Sequence, residues 1–206
     1  TNATTATNLA SGGAGQIPYQ SASGTTAMLA AGTSGQALIS NGTSAPSWGS
    51  AISRGTVVNT TSGTNIDFTS IPAFVKRITV MLNGVSTNGT SLVQIQLGTS
   101  GIPTTSGYYS GATRIGGTNT NGNSTTGFLT DFLSGAAETR TGIMTITNIS
   151  GNIWVYSSSV SSQGGSDTGS IANGSISLSG TLDMLRLTTV IGTQTFDAGS
   201  INILYE

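Results

Sequence analysis

The fold is decided by LVQIQL, residues Leu92 to Leu97, in which apolar and polar side chains alternate. Val93, Ile95 and Leu97 fall on one face of an extended chain, and two glutamines fall on the other. A period of two in so short a segment is typical of a β-strand that packs one face against a core. This stretch therefore predicts a strand and not a helix.

The same alternation recurs throughout residues 51–206. KRITVML, from Lys76 to Leu82, places three apolar side chains on one face. Further segments of this kind are Thr141–Ile149, Asn152–Tyr156, Ser175–Leu178, Leu185–Ile191 and Ile201–Glu206. Asn-Gly pairs tolerate a positive φ and predict tight turns at residues 83–84, 88–89 and 173–174. We therefore expect an all-β chain in which residues 51–206 form an antiparallel, jelly-roll-like β-sandwich.

Charged side chains are scarce. Only 6 of the 206 residues are Lys or Arg and 7 are Asp or Glu, which gives a net charge of −1. Nucleic acids and anionic membranes attract proteins through basic surfaces, so we expect neither as a partner. The sequence also shows no secretory signal and no apolar run of about 18 residues, so no membrane insertion is expected.

The chain has no cysteine and no histidine. This removes disulfides, thiolate ligands, the usual general base and the usual zinc ligand. Carboxylates that could form a glycosidase pair or a calcium site are scattered: Asp131, Glu138, Asp183, Asp197 and Glu206. We therefore expect a non-enzymatic protein with no catalytic residue, metal or cofactor, and an enzyme acting on surface polysaccharide is the weakest alternative.

Residues 1–50 have a different composition and contain a weak repeat. GQIPYQSASGTTA, from Gly15, and GQALISNGTSAPS, from Gly35, share a frame offset by twenty residues. One copy has too few apolar side chains to offset the entropy of ordering its backbone, about 1–2 kcal/mol per residue. We expect this segment to become ordered in a homotrimer, with its apolar side chains facing the axis: Ile17, Tyr19, Leu29, Leu38 and Ile39.

The segment from Gly15 to Trp48 resembles one that recurs in bacteriophage tail fibres and related tail proteins. Residues 55–206 resemble the globular tip domain that often follows it. The matching stretches are Ile66–Gly89, Thr126–Thr130, Arg140–Val155 and Leu178–Glu206. The resemblance implies a trimeric fibre in the virion, with residues 1–50 as an extended stalk and residues 51–206 as a tip that meets the host surface. It supplies no ligand and no binding residue.

Aromatic residues in polar surroundings are the candidate ligand-binding residues. Tyr108 and Tyr109 lie in TTSGYYSGATR, a Gly/Ser-rich segment that is predicted to be a loop, with Arg114 close by. Sugar rings stack on aromatic faces, and arginine donates hydrogen bonds to hydroxyls and carboxylates. The alternative is that one or both tyrosines fold back onto the sandwich or onto a subunit interface.

Trp154 is the remaining candidate. In GNIWVY it shares a face with Tyr156, and the neighbouring Ile153 and Val155 share the opposite face. If the aliphatic pair faces the core, Trp154 lines a shallow outer groove; a place in a trimer interface is the alternative. The residues that follow, Ser157 to Ser175, are predicted to be a mobile loop or a hairpin tip.

Two functions of different classes remain open. The first is a receptor-binding fibre tip that recognises a host cell-surface glycan or outer-membrane protein without cleaving it. The second is a structural component of the tail, such as a fibre segment or a baseplate cap, with adhesion carried out elsewhere. With either function, we expect the rest of the phage tail to be a partner of this protein.

Overall fold

The computed structural model describes residues 12–116, 120–133, 135–136, 138–164 and 168–206. These residues form β-strands joined by turns and bends, and none of them lies in a helix. The prediction of an all-β chain is therefore confirmed. The chain divides into two compact units, residues 1–52 and residues 53–206.

Two β-hairpins form the first unit over the residues described there. Their strands are β1 (Ile17–Ala22), β2 (Thr25–Leu29), β3 (Ala37–Ile39) and β4 (Ser47–Gly49). Ile17 lies opposite Leu29 in the first hairpin, and twenty residues later Ala37 lies opposite Gly49 in the second. The twenty-residue repeat seen in the sequence is therefore also a repeat of strand register.

The turn before each hairpin repeats as well. The side-chain oxygen of Gln16 accepts a hydrogen bond from the backbone N–H of Gly13 at 2.7 Å, and that of Gln36 accepts one from Thr33 at the same distance. The glycine before each glutamine has a positive φ, 75° and 87° respectively, which explains the Gly-Gln pair in both copies.

Burial in the first unit is slight. Every residue from 12 to 52 remains at least partly exposed, and Leu38 is half exposed on the opposite strand face from Ile39. Trp48 is the main internal anchor: its Nε1 donates to the carbonyl of Ala30 at 2.7 Å, and its ring occupies the space beside Gly32. Because alternation separates Leu38 from Ile39, the two side chains cannot face one axis together, and that part of the expectation is wrong.

The second unit is built from fourteen strands within its described residues. They are β5 (Ser53–Arg54), β6 (Val58–Asn59), β7 (Asn65–Phe68), β8 (Arg77–Thr87), β9 (Val93–Thr99), β10 (Ile102–Pro103), β11 (Tyr109–Ile115), β12 (Asn121–Ser124), β13 (Phe128–Leu129), β14 (Thr139–Ser150), β15 (Ile153–Gln163), β16 (Thr168–Ser177), β17 (Met184–Thr189) and β18 (Phe196–Tyr205).

These strands form two antiparallel sheets. The larger sheet has the order β12-β11-β16-β15-β14-β8-β18-β5, with β6 also paired to β18. The smaller sheet has the order β10-β9-β17-β7, with β13 also paired to β9. A two-sheet antiparallel architecture agrees with the predicted sandwich class.

The hydrophobic core is shared by the two sheets. Val93, Ile95 and Leu97 of β9 are fully buried, as the alternation in LVQIQL predicts. The larger sheet contributes the alternate residues Ile78, Val80 and Leu82 of β8. The glutamines of β9 are buried too, because the segment after β12 covers them; the amide of Gln96, for example, donates to the carbonyl of Thr126 at 2.9 Å.

A buried ion pair lies at one end of this core. Nε of Arg140 is 3.0 Å from a carboxylate oxygen of Asp131, and neither side chain has any exposed surface. Arg140 also donates to the carbonyls of Leu133 and Glu138. Burial raises the pKa of the Asp131 carboxyl, and Arg140 and the hydroxyl of Thr130 oppose that rise.

Residues 157–175 form strands of a β-hairpin and not the predicted mobile loop or hairpin tip. Most of them lie in β15 and β16, which pair along ten positions, and residues 165–167 lie outside the described residues. Ser158 donates to the carbonyl of Thr130 at 2.6 Å, and Ser170 accepts from the N–H of Phe132 at 2.9 Å. Serine is tolerated on the buried face of these strands because the backbone of residues 128–133 satisfies its hydroxyl.

Two of the three predicted Asn-Gly turns are also wrong. Residues 83–84 lie inside β8, at an irregularity of its pairing with β18, and residues 173–174 lie inside β16. Residues 88–89 lie in the connection between β8 and β9, where the chain bends. Gly84 has a φ of 66°, so the glycine there serves a strand irregularity instead of a hairpin turn.

Candidate functional site

The structure separates the two adjacent candidate tyrosines. Tyr109 begins β11 with 77% of its surface exposed, whereas Tyr108 is 3% exposed. The Tyr108 hydroxyl accepts from the N–H of Leu97 at 2.7 Å, and its ring meets Phe128 edge-on, with centroids 4.9 Å apart. Burial raises the pKa of Tyr108 well above its usual range. Successive residues of an extended chain face opposite sides, so the predicted exposure holds for Tyr109 and is wrong for Tyr108.

Trp154 also faces the core and does not line an outer groove. It is 3% exposed, whereas Ile153 is 42% exposed, so the predicted assignment of faces on β15 is wrong. Tyr156 is buried beside it, stacks on Phe128 at 4.2 Å and shares a 2.7 Å hydrogen bond with Ser110. Burial raises the pKa of Tyr156 to about 12. Large aromatic rings remove more apolar area from water than Ile or Val, and this decides which face turns inward.

Arg114 lies on the same strand as Tyr109 but on the alternate side. It is half-buried, and its Nε donates to the hydroxyl of Thr168 at 3.2 Å. The structure therefore does not bring the four predicted residues together: Tyr109 alone stands exposed on the outer face of the larger sheet.

This outer face is the side of the larger sheet whose residues alternate with the buried ones. Strand register arranges it in rows that run across the strands. The row that contains the exposed tyrosine is Tyr109, Ser175, Val155, Thr147 and Arg77. The next row is Asn123, Gly111, Asn173, Ser157, Thr145 and Thr79. The third row is Asn121, Thr113, Ile171, Ser159, Ile143 and Met81. Hydroxyls, carboxamides and scattered aliphatic groups thus dominate the face.

Next to the exposed ring is an open position of the sheet, which we call the Gly111 notch and define as Tyr109, Gly111, Asn123 and Asn173. Gly111 of β11 lies directly between Asn123 of β12 and Asn173 of β16. A Cβ atom placed on Gly111 would meet nothing within 4 Å, so the space above its backbone is open. Tyr109 lies two residues along the same strand, about 7 Å away.

Both asparagines of the Gly111 notch have free carboxamides. Each side chain is exposed, and neither makes a hydrogen bond to another residue in the described part of the chain. A carboxamide offers two donors and one acceptor oxygen. The Gly111 notch can therefore present a flat aromatic face together with two sets of donors and acceptors.

Little charge acts on the Gly111 notch. Among the described residues of the three rows, Arg77 is the charged one, and four strand spacings of about 4.8 Å separate it from Tyr109. That separation exceeds the Debye length of about 8 Å at physiological salt, so its field is screened at an exposed site. Arg114 lies on the opposite face of β11, where its Nε donates a hydrogen bond to the hydroxyl of Thr168.

The carboxylates in the described residues all have partners elsewhere. Asp131 binds Arg140, and Asp67 forms a 2.7 Å ion pair with Arg186 that raises the pKa of Arg186. The other four contact Gly135 (from Glu138), Gly101 (from Asp183), Ser86 (from Asp197) and Arg77 (from Glu206). Within the same described residues, no three acidic side chains cluster as metal ligands. The described residues also include no helix that is long and apolar enough to cross a membrane.

Sequence reasoning found Tyr109 and missed Gly111, Asn123 and Asn173. Asn173 is missed because the Asn-Gly pair at residues 173–174 is a strong turn signal, although it lies inside β16. Comparisons with family models, curated proteins and solved structures found no match to this chain.

Proposed function

We propose that this protein is a non-enzymatic adhesion module that binds a carbohydrate on a host cell surface. The observation that carries the proposal is Tyr109, exposed near the edge of the larger sheet beside the free carboxamides of Asn123 and Asn173. Sugar C–H faces stack on aromatic rings, and sugar hydroxyls both donate and accept hydrogen bonds, as carboxamides do. An outer-membrane protein is the alternative receptor.

The sequence resemblance gives the biological setting of this proposal. The second unit serves as the jelly-roll-like tip of a bacteriophage tail fibre in the virion, and the first unit serves as its stalk, joined to the rest of the tail. Three copies assemble as a homotrimer. Each then offers one weak site, and three sites on one particle bind a cell surface with avidity far above that of one site.

The slight burial in the first unit supports the homotrimer. No residue between 12 and 52 is buried, although the segment holds two hydrogen-bonded hairpins. Ile17, Tyr19 and Leu29 keep part of their apolar surface in water. Covering these side chains with the same segment of neighbouring copies supplies the burial that a folded unit requires.

Adsorption to cells tests the adhesive function. Fluorescently labelled protein is incubated with a panel of bacterial strains, and cell-bound fluorescence is measured for the wild type and two variants. Tyr109→Ala should reduce adsorption at least about tenfold, since it removes the stacking surface. Phe74→Ala is the matched control, because it removes another exposed ring, at 66% exposure, from a loop outside the larger sheet.

The same experiment separates adhesion from the structural alternative. The repeated hairpins of the first unit also suit a fibre segment that holds parts of the tail together without a receptor. A folded wild-type protein that adsorbs to no strain, or Tyr109→Ala adsorbing as well as Phe74→Ala, would refute the adhesive proposal and favour that structural role.

A further inference from the structure

We propose that the Gly111 notch is a subsite for one uncharged pyranose residue, with the ring over Gly111 and against Tyr109. This inference names the ligand class for the adhesive function proposed above and rests on it. In register, the backbone of Gly111 forms the floor, and Asn123 and Asn173 stand on either side of it.

The dimensions fit a single sugar ring. Two strand spacings place the Cα atoms of Asn123 and Asn173 about 10 Å apart, which leaves room for a six-membered ring and its hydroxyls between the two side chains. This space is open because residue 111 is a glycine. A Cβ atom added there would point into open space, and a larger side chain would fill the space between the two asparagines. Ser175, opposite Tyr109, adds a hydroxyl at the same end.

The chemistry selects neutral sugars over acidic ones. A uronic or sialic acid carries a carboxylate, which binds most strongly where a cation donates hydrogen bonds to it. In the described part of the three rows the charged residue is Arg77, four strands away, and Arg114 donates to Thr168 on the other side of β11. A carboxamide, in contrast, matches a hydroxyl because each can donate and accept. Binding should accordingly depend little on ionic strength.

The test titrates the full-length ¹⁵N-labelled protein with methyl glycosides and follows its NMR spectrum. The neutral probes are the methyl glycosides of glucose, galactose, mannose and N-acetylglucosamine; the acidic probes are those of glucuronic acid and sialic acid. At least one neutral probe should shift the Gly111 amide and the side-chain amides of Asn123 and Asn173. The acidic probes should leave these signals unchanged.

Paired variants locate the subsite. Gly111→Val fills the floor and should abolish the shifts, whereas Gly169→Val fills open space at a distant position of the outer face and should preserve them. Asn173→Ala should weaken binding roughly tenfold through the loss of its hydrogen bonds. Asn83→Ala, an exposed asparagine on β8, should bind like the wild type.

Several results would overturn the subsite. They are a Gly111→Val variant that still binds, equal binding of acidic probes, or no shift with any neutral probe at about 0.1 M, where a site of millimolar Kd is nearly saturated. Its failure is distinct from failure of adhesion. If Tyr109→Ala blocks cell adsorption while Gly111→Val does not, adhesion stands and the subsite falls. If no strain adsorbs the protein, adhesion falls and the titration alone decides the subsite.

Discussion

At the scale of single residues, chemical type does not fix the role of the aromatic side chains. Tyr108 and Tyr109 are adjacent, yet one anchors the core against Phe128 and the other is exposed beside Gly111. The difference follows from the two faces of an extended chain and from which face has a partner sheet. A substitution at Tyr108 therefore tests stability, and one at Tyr109 tests binding.

The buried tyrosines make stability sensitive to alkaline pH. The pKa of Tyr156 is raised from about 10 to about 12 in the folded protein, so between these values the unfolded state releases a proton that the folded state keeps. The free energy of unfolding should then fall as pH rises from 10 to 12, by up to about 1.4 kcal/mol per pH unit for this residue.

Urea unfolding at closely spaced pH values measures that slope. Tyr156→Phe should show a shallower fall than the wild type over this range, because it removes one of the ionising groups. Tyr109→Phe changes an exposed ring and serves as the control, with the wild-type slope. Equal slopes for wild type and Tyr156→Phe would contradict the interpretation.

At the scale of elements, β15 shows how a serine-rich strand is stabilised. Its residues alternate between exposed and buried positions, and the buried Ser158 donates a hydrogen bond to the backbone carbonyl of Thr130. Polar side chains replace apolar ones here because residues 128–133 present backbone groups that need partners. β15 therefore pairs with its neighbours in the sheet and also holds the segment 128–133 by a hydrogen bond.

Two neighbouring serines of β15 provide a matched pair for this claim. Ser158→Ala leaves the carbonyl of Thr130 without its 2.6 Å hydrogen bond and should lower the free energy of unfolding by about 1–3 kcal/mol. Ser159→Ala, on the exposed face, should change it by less than about 0.5 kcal/mol. Chemical denaturation of both variants is the measurement, and equal effects would show that the buried hydroxyl has no special role.

At the scale of the whole molecule, the two units differ in how much apolar surface a single chain buries within each of them. The second unit has an extensive core, whereas the first has no buried residue between positions 12 and 52. A folded segment without burial gains little against the entropy of ordering it. This contrast is the physical reason for expecting several copies to assemble.

Sedimentation equilibrium tests the assembly. We expect the full chain to have three times the 20.6 kDa mass of one copy, with no change on dilution through the micromolar range. Removal of residues 1–52 should leave a trimer of the second unit or weaken it only in part. A full-length chain that remains a monomer at every concentration would contradict the proposed architecture.

The sequence by itself determined the strand class and much of the core. The alternation in LVQIQL correctly predicted that Val93, Ile95 and Leu97 are buried, since a period of two leaves an apolar strand only one way to face a partner sheet. It also determined the twenty-residue repeat, because the same turn chemistry recurs at Gln16 and Gln36.

Only the tertiary structure decided which face of β15 turns inward and where a ligand could bind. Trp154 alternates with Ile153 whichever side is covered, so the pattern alone could not choose between them. The Gly111 notch joins β12, β11 and β16, and Asn173 lies sixty-two residues after Gly111 in the chain. Strand pairing brings them side by side, and pairing between distant segments depends on the packing of the whole sheet, which local periodicity does not encode.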